Sequence, residues 1–253
     1  MQDISYPKPS TLPPVLSIHE FHGNAGGEKF QAILTDTKNI KYSPSYPLDH
    51  RLHLYNTSTL FLIKKEVRYF IMDRNRVYWD LAKDYFPNAT TVIDKFHVVR
   101  YASWALENVR KRIQQDLHPS KRKYFKRSRK LLLTKKEKLS EESLLALEVM
   151  LSQPQDLAIA YYLKELFYDF MKVNNRQEAT KRLKTFILSA QASELKEFQS
   201  CLTMLANILN AFDCPYTNGY TEGTNNKIKV IKRNAFGYRN FSNFRNRIFL
   251  SLT

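Results

Sequence analysis

Hydrophobic periodicity turns helical at Lys95 and stays so, and that lasting change restricts the fold more than any other feature. Up to Ile93 the apolar residues come in short runs, several of them alternating. From Lys95 onward they recur at helical spacing almost to the end. Val15–Phe21 (VLSIHEF) places Val15, Ser17, His19 and Phe21 on one face and Leu16, Ile18 and Glu20 on the other, the two-residue period of a strand. Gly23–Glu28 predicts a turn and Lys29–Leu34 a second strand. Ile40–Leu48 reads as a third strand damaged by Pro44 and Pro47, and His50–Phe61 as weakly helical. Val67–Met72 is a short apolar strand that ends at Asp73. Val77, Leu81 and Tyr85 then predict a helix stopped by Pro87, and Thr90–Ile93 is another short strand, ending at Asp94.

Past that point Phe96, Val99, Ser103, Leu106, Val109 and Ile113 form one helical stripe, and Pro119 breaks it. Ser140 followed by Glu141 and Glu142 has the form of an N-cap with acids in the first turn. Helices are predicted over Glu141–Ser152, Gln155–Met171, Glu178–Gln191 and Ser193–Phe212. After Pro215 and Gly219 come a helix over Thr221–Phe236, closed by Gly237 at its C′ position, and a last helix over Phe241–Leu250. The order implies an α/β chain carrying a large all-helical insertion. The expected divisions are a leader at 1–14, a core segment at 15–100, the insertion at 101–213 and a closing segment at 214–253.

A length of 253 residues with 43% hydrophobic content supports a proper core. Two cysteines, Cys201 and Cys214, are too few for a disulfide framework or a zinc ribbon. No apolar run is long enough for a membrane span, and the first residues lack the pattern of a signal peptide. A cytoplasmic setting without a membrane partner is expected. The formal net charge of +16 concerns partners rather than fold. It suits a generally basic soluble protein, or a nucleic-acid binder. Clustering favours the second. Lys121–Lys130 (KRKYFKRSRK) is the densest block and Ile228–Arg247 the next, and both interleave cations with Tyr and Phe. The candidate DNA contacts in the first block are Lys121, Arg122, Lys123, Lys126, Arg127, Arg129 and Lys130.

Helical geometry over Thr221–Phe236 puts Glu222, Asn225 or Asn226, Lys229, and Lys232 or Arg233 on one face, with Ile228, Ile231 and Ala235 on another. The polar face is either a solvated surface or a carboxylate beside a phosphate-binding row. Asp73 and Asp94 each end a strand, where an acid either caps the next helix or ligates a metal. His97 is a core histidine or a ligand. His19 and Glu20 are adjacent on a strand and face opposite ways. No P-loop, GxGxxG or GxSxG is present, so no nucleotide cofactor is expected.

Four segments in this order, IHEFHGNAGGEKFQAILTD, YFIMDRN, FPNATTVIDKFHVVRYASWALENVRK and NGYTEGTNNKIKVIKRNAFGYRNFSNFRNRI, resemble insertion-sequence transposases of the ISL-three type. The resemblance runs over nearly all of Val15–Ser251. It implies an RNase H-like mixed sheet with a helical insertion before the last catalytic helix. It also implies an Asp–Asp–Glu trio holding two Mg²⁺ for DNA strand cleavage and transfer. The second acid maps to Asp73 and the third to Glu222, the expected metal ligands. The first falls on His19, a softer and uncharged donor that Mn²⁺ tolerates better than Mg²⁺. The implied activity is therefore impaired, and the alternative is an inactive, truncated transposase that binds DNA or a full-length relative. The family's zinc and helix-turn-helix region has no counterpart here, so recognition of element ends is expected to be missing or supplied by another chain. Asn225, Asn226, Lys229, Lys232, Arg233, Arg239 and Arg245 complete the expected DNA contacts, with element ends and target as the DNA and a homo-oligomer as the assembly.

The basic block gives a direct test. Replacing Lys123, Lys126 and Arg127 by Gln should flatten the slope of log K against log salt for DNA binding by about 0.9 per lost phosphate contact. Fluorescence anisotropy across a salt series measures that slope.

Overall fold

In a computed structural model the described residues are 12–25, 28–39, 41–42, 66–73, 75–152, 154–205 and 207–252. The chain divides into two compact units, Met1–Asp94 with Cys214–Thr253, and Lys95–Asp213.

The first unit is built on a five-stranded sheet of order β3-β2-β1-β4-β5. Its strands are β1 (Val15–Ala25), β2 (Glu28–Asp36), β3 (Lys41–Tyr42), β4 (Tyr69–Met72) and β5 (Thr90–Ile93). β1 pairs antiparallel with β2, with a register shift between His22 and Ala25, and parallel with β4. β4 in turn pairs parallel with β5. The Gly23–Glu28 turn is thus shorter than predicted, because β1 continues to Ala25 and β2 begins at Glu28. The third strand is confined to Lys41–Tyr42 among the described residues. The rest of Ile40–Leu48, with Pro44 and Pro47, and the predicted helix over His50–Phe61 lie outside them.

Alternation along β1 divides the core as the sequence predicts. Leu16 and Ile18 join Leu34, Phe70, Met72 and the residues Tyr78, Leu81 and Ala82 of α1 (Arg76–Tyr85). Phe21 joins Ile33, Ile228 of α9 (Gly219–Asn234) and Phe244 and Ile248 of α10 (Phe241–Leu252) on the other face. Phe70 stacks on Phe86 with ring centroids 5.0 Å apart, and Tyr238 on Phe244 at 4.6 Å. In α1 the buried stripe is rotated one residue from the prediction. Tyr78, Leu81 and Ala82 face the sheet, whereas Val77 is exposed. The cause is the N-cap: Asn75, not Asp73, accepts the Val77 N–H at 3.0 Å and sets the helical phase.

The second unit contains α2 (Lys95–Gln115), α3 (Pro119–Arg127), α4 (Arg129–Leu133), α5 (Glu141–Leu151), α6 (Gln155–Lys172), α7 (Arg176–Ala192) and α8 (Lys196–Leu202). Phe167, Phe170, Phe186 and Phe198 fill its centre. Pro119 does not interrupt a helix but opens one, in the first turn, where its missing N–H costs nothing. The basic block is therefore helical. The single helix predicted over Ser193–Phe212 is instead α8 followed by 3₁₀ turns at Thr203–Leu205 and Ile208–Phe212. Left-handed residues at Glu194 (φ 54°) and Asn207 (φ 62°) forbid a continuous helix.

Two buried cations organise this unit. Lys164 has no exposed surface, and its Nζ donates to Leu132 O and Thr134 O at 3.0 Å each and pairs with Glu165 at 2.5 Å. It also lies over the Tyr161 and Tyr168 rings. Burial pushes its pKa down, against the opposing pull of Glu165. Arg110 grips Glu107 through two bonds of 2.8 and 2.7 Å and donates to Phe125 O at 3.0 Å, which fastens the basic helix α3 to α2.

Helix α9 is moored to the sheet at its start. Asp94, buried at the end of β5, accepts the Asn218 backbone N–H at 3.0 Å, and Thr35 meets Thr221 through hydroxyls 2.7 Å apart. Asp94→Ala should leave that N–H buried without an acceptor and lower stability by about 1–3 kcal/mol. The shift in urea midpoint of Asp94→Ala against the native protein measures it.

Candidate functional site: a histidine–aspartate pair under helix α9

Parallel pairing puts Ile18, Met72 and Ile93 abreast on β1, β4 and β5. His19, Asp73 and Asp94 follow them, the two acids just past the ends of β4 and β5 and His19 within β1. The sheet thus gathers sequence-distant residues into one row. Asp94 serves as the anchor just described, receiving a backbone N–H at the start of α9. Asp73 and His19 face each other, with His19 Nε2 3.3 Å from Asp73 Oδ2 and both side chains largely buried.

Asn225 of α9 fixes the imidazole. Its Nδ2 lies 2.8 Å from Glu20 O and 2.8 Å from His19 Nδ1. A carbonyl only accepts, so the amide presents its NH₂ there; the flipped amide would set oxygen against oxygen. The same NH₂ can then donate to His19 Nδ1 in the tautomer that leaves this nitrogen unprotonated. In that tautomer the proton of a neutral ring sits on Nε2, pointing at Asp73. His19 Nδ1 is also 2.8 Å from Glu20 O, a contact that becomes a hydrogen bond only in the other tautomer. Asn225 is 1% exposed, and its Oδ1 is buried without a hydrogen-bond partner. So are both side-chain polar atoms of Asn218, the residue that precedes α9.

Asn225 corrects the sequence reading. Predicted to face DNA, it lies on the buried side with Thr221, Thr224 and Ile228. Ala235, predicted to pack inward, is exposed. The pair Asn225–Asn226 gave no sign of which member turned in. Only the helix phase set by Ile228 decides it. Glu222 lies half-buried in the first turn of α9, one turn before Asn225. Among the described residues its carboxylate does not come within 4.8 Å of both His19 and Asp73 ligand atoms. The structure thus brings together His19 and Asp73.

Glu20 points to the other face, as the strand alternation requires, and receives a hydrogen bond from Tyr78 Oη at 3.3 Å. Tyr78 was missed in the sequence. Burial, and then the charges of Glu20 and Asp73, raise its phenol pKa far above the usual tyrosine range.

The cations of the two basic blocks differ in role. Lys121, Lys123, Lys126, Arg127 and Lys130 are exposed. Arg122 caps the end of α2 by donating to Leu117 O and Gln115 O, and Arg129 pairs with Glu107 at 3.4 Å. On the first unit Asn226, Lys229, Arg233 and Arg239 are exposed, Arg245 is half-buried, and Lys232 donates to His22 O at 2.7 Å.

A mixed sheet with helices on both faces, and an acid placed at a strand end beneath a polar helix, defines an RNase H-like α/β core. The chain matches the model of a family described as transposases over residues 16–248, and it belongs to that family, the ISL3-type transposases. It is similar to the transposase for insertion sequence element IS1001 of Bordetella parapertussis, 32% identical over 168 residues, covering 60% of this chain and 39% of the relative. A shorter similarity, 48% identical over 56 residues, links it to a Lactococcus lactis subsp. lactis protein named as an ATP-dependent protease, covering 22% of this chain and 17% of that one. The chain thus spans well under half the length of either relative. No solved structure matches.

The raised Tyr78 pKa has a calculable sign. Above the ordinary tyrosine value of 10.0 the unfolded state loses a proton that the folded state keeps, so stability falls as pH rises through that region. Tyr78→Phe should therefore show a smaller drop in urea midpoint than the native protein between about pH 8 and pH 11. An equal drop in both would place the alkaline sensitivity elsewhere.

Proposed function

We propose that this chain is the DNA-handling core of an insertion-sequence transposase in which two-metal strand cleavage is impaired and DNA binding is retained. The observation that carries the first half is the His19–Asp73 pair. A two-Mg²⁺ centre needs several hard, anionic oxygen donors converging on one point. Here the position expected to supply the first carboxylate supplies an imidazole whose proton is directed at the second. The residues present do not fit two Mg²⁺ ions, and no step of cleavage is derived through them.

One softer ion, of the Mn²⁺ kind, suits imidazole with carboxylate better. It would require the other tautomer, with Nδ1–H donated to Glu20 O and the Asn225 amide turned away. Asn225 therefore works against ligation by His19. Loss of one carboxylate should cost catalysis heavily, since each ~1.4 kcal/mol of lost transition-state stabilisation is a tenfold drop in rate.

Retained DNA binding is supported by the exposed cations of α3 and α9 and by the net charge of +16. Gly223 adds a smaller point. A Cβ there would meet nothing within 4 Å, so packing within the chain does not call for a glycine next to Glu222. A glycine inside a helix costs about 1 kcal/mol relative to alanine. Its presence on the open side of α9 suits close approach by a phosphate backbone. DNA element ends and target are the proposed partners, with a homo-oligomer or a full-length relative supplying what a single chain lacks.

Calorimetric titration with Mg²⁺ and with Mn²⁺ tests the site. The native protein should bind no pair of ions. His19→Asp should gain Mg²⁺ binding that Glu222→Gln in the same background abolishes. Native binding of two ions in a Glu222-dependent manner would overturn the proposed impairment.

A further inference from the structure

At the end of α9 a phenylalanine side chain stands in the open. Phe236 is 102% exposed and holds a φ of 52°, a region that suits glycine and opposes a bulky side chain. Backbone bonds hold it there. Phe236 N–H donates to Arg233 O and Gly237 N–H to Lys232 O, each at 3.0 Å, the pair of bonds of a Schellman ending. In such an ending the left-handed residue is usually glycine. Here glycine comes one residue later, at φ 98°, and the left-handed position carries an aromatic ring. Neither burial nor backbone energy accounts for that choice.

The ring borders an open groove of about 780 Å³, lined also by His22, Asn226, Lys229, Val230, Lys232, Arg233 and Gly237. Its lining includes no acid. Lys232 reaches across to His22 O and ties that rim to β1. Cations in the last turn of a helix offset its dipole and would be unremarkable alone. An aromatic ring fully in solvent beside them needs another reason. A flat π-face flanked by cations is what an unpaired base with its neighbouring phosphates requires. An apolar protein segment would find Phe236 and Val230 bordered by three cations rather than an extended apolar patch.

We infer that Phe236 is a stacking platform for one unpaired base of DNA, with Lys229, Lys232 and Arg233 receiving the adjoining phosphates. This rests on the DNA-binding reading above and assigns it a nucleotide subsite. Anisotropy titrations with a short labelled duplex, and with the same duplex carrying one unpaired base, test it. The native protein should prefer the second by on the order of tenfold. Phe236→Gly should abolish that preference and leave affinity for the paired duplex unchanged. It should not lower the Tm, because glycine accepts the local φ freely. Phe236→Trp should keep the preference. A preference that survives in Phe236→Gly, or is absent from the native protein, overturns the subsite while duplex binding stands. Absence of binding to either DNA overturns the underlying reading as well. Native self-association that Phe236→Gly abolishes, seen by sedimentation with the base preference intact, would make this face a protein interface and also overturn the subsite.

Discussion

The parallel register of β1, β4 and β5 is the constraint on which the rest of the first unit depends. With Ile18, Met72 and Ile93 abreast, the residues that follow them stand in a row. That row is where α9 must be seated, and two of its members seat it. Asp94 receives the first backbone N–H and His19 receives the Asn225 amide. A one-residue slip of β1 would turn His19 to the α1 face and Glu20 to the α9 face. It would also move Leu16 and Ile18 out of one core and Phe21 out of the other. The register is thus enforced by two apolar clusters on opposite faces, and the polar row is their consequence.

Much of this was legible in the sequence because the signals are local. Alternation in VLSIHEF gave the facing of His19 and Glu20, and short apolar runs ending in Asp gave the strand ends. What could not be read depends on the phase of a helix or on partners far along the chain. Asn225 and Asn226 are equivalent until Ile228 and Thr221 settle which side of α9 is buried. Asp73 and Asp94 look alike as strand-terminal acids, yet one faces an imidazole and the other a backbone N–H from residue 218. Asn75, two residues beyond Asp73, took the capping role that the sequence left open for that acid. Lys164 gave no signal at all, since a lysine inside an apolar helix reads as an exposed position until its three carbonyl and carboxylate acceptors are seen.

Both basic regions rest on charges that never reach a ligand. Arg110 and Glu107 are buried and joined by two hydrogen bonds, and Arg110 Nη1 donates to Gln114 Oε1 and to the Phe125 carbonyl. Removing one partner would strand the other in a low-dielectric interior, a far larger penalty than the loss of a surface pair. The exposed lysines of α3 are thereby presented on a helix whose position is fixed from below. Arg122 and Arg129 are exposed as well, and each also ties the block to its surroundings, Arg122 through Leu117 O and Arg129 through Glu107.

Substitution of one residue at the head of the row alters the site in a directed way. A carboxylate at position 19 would repel Asp73 and draw a cation between them. An imidazole does the opposite, because its Nε2–H is itself the positive end of a dipole aimed at Asp73. With the proton on Nε2, Asn225 can hold Nδ1 as an acceptor. A cation entering this site must compete with an imidazole that stands 3.3 Å from Asp73 Oδ2. Asp94, Thr35 and the Ile228 cluster seat α9 together with the Asn225 contact to His19, so the residue at position 19 bears on the seating of α9 as well as on the pairing with Asp73.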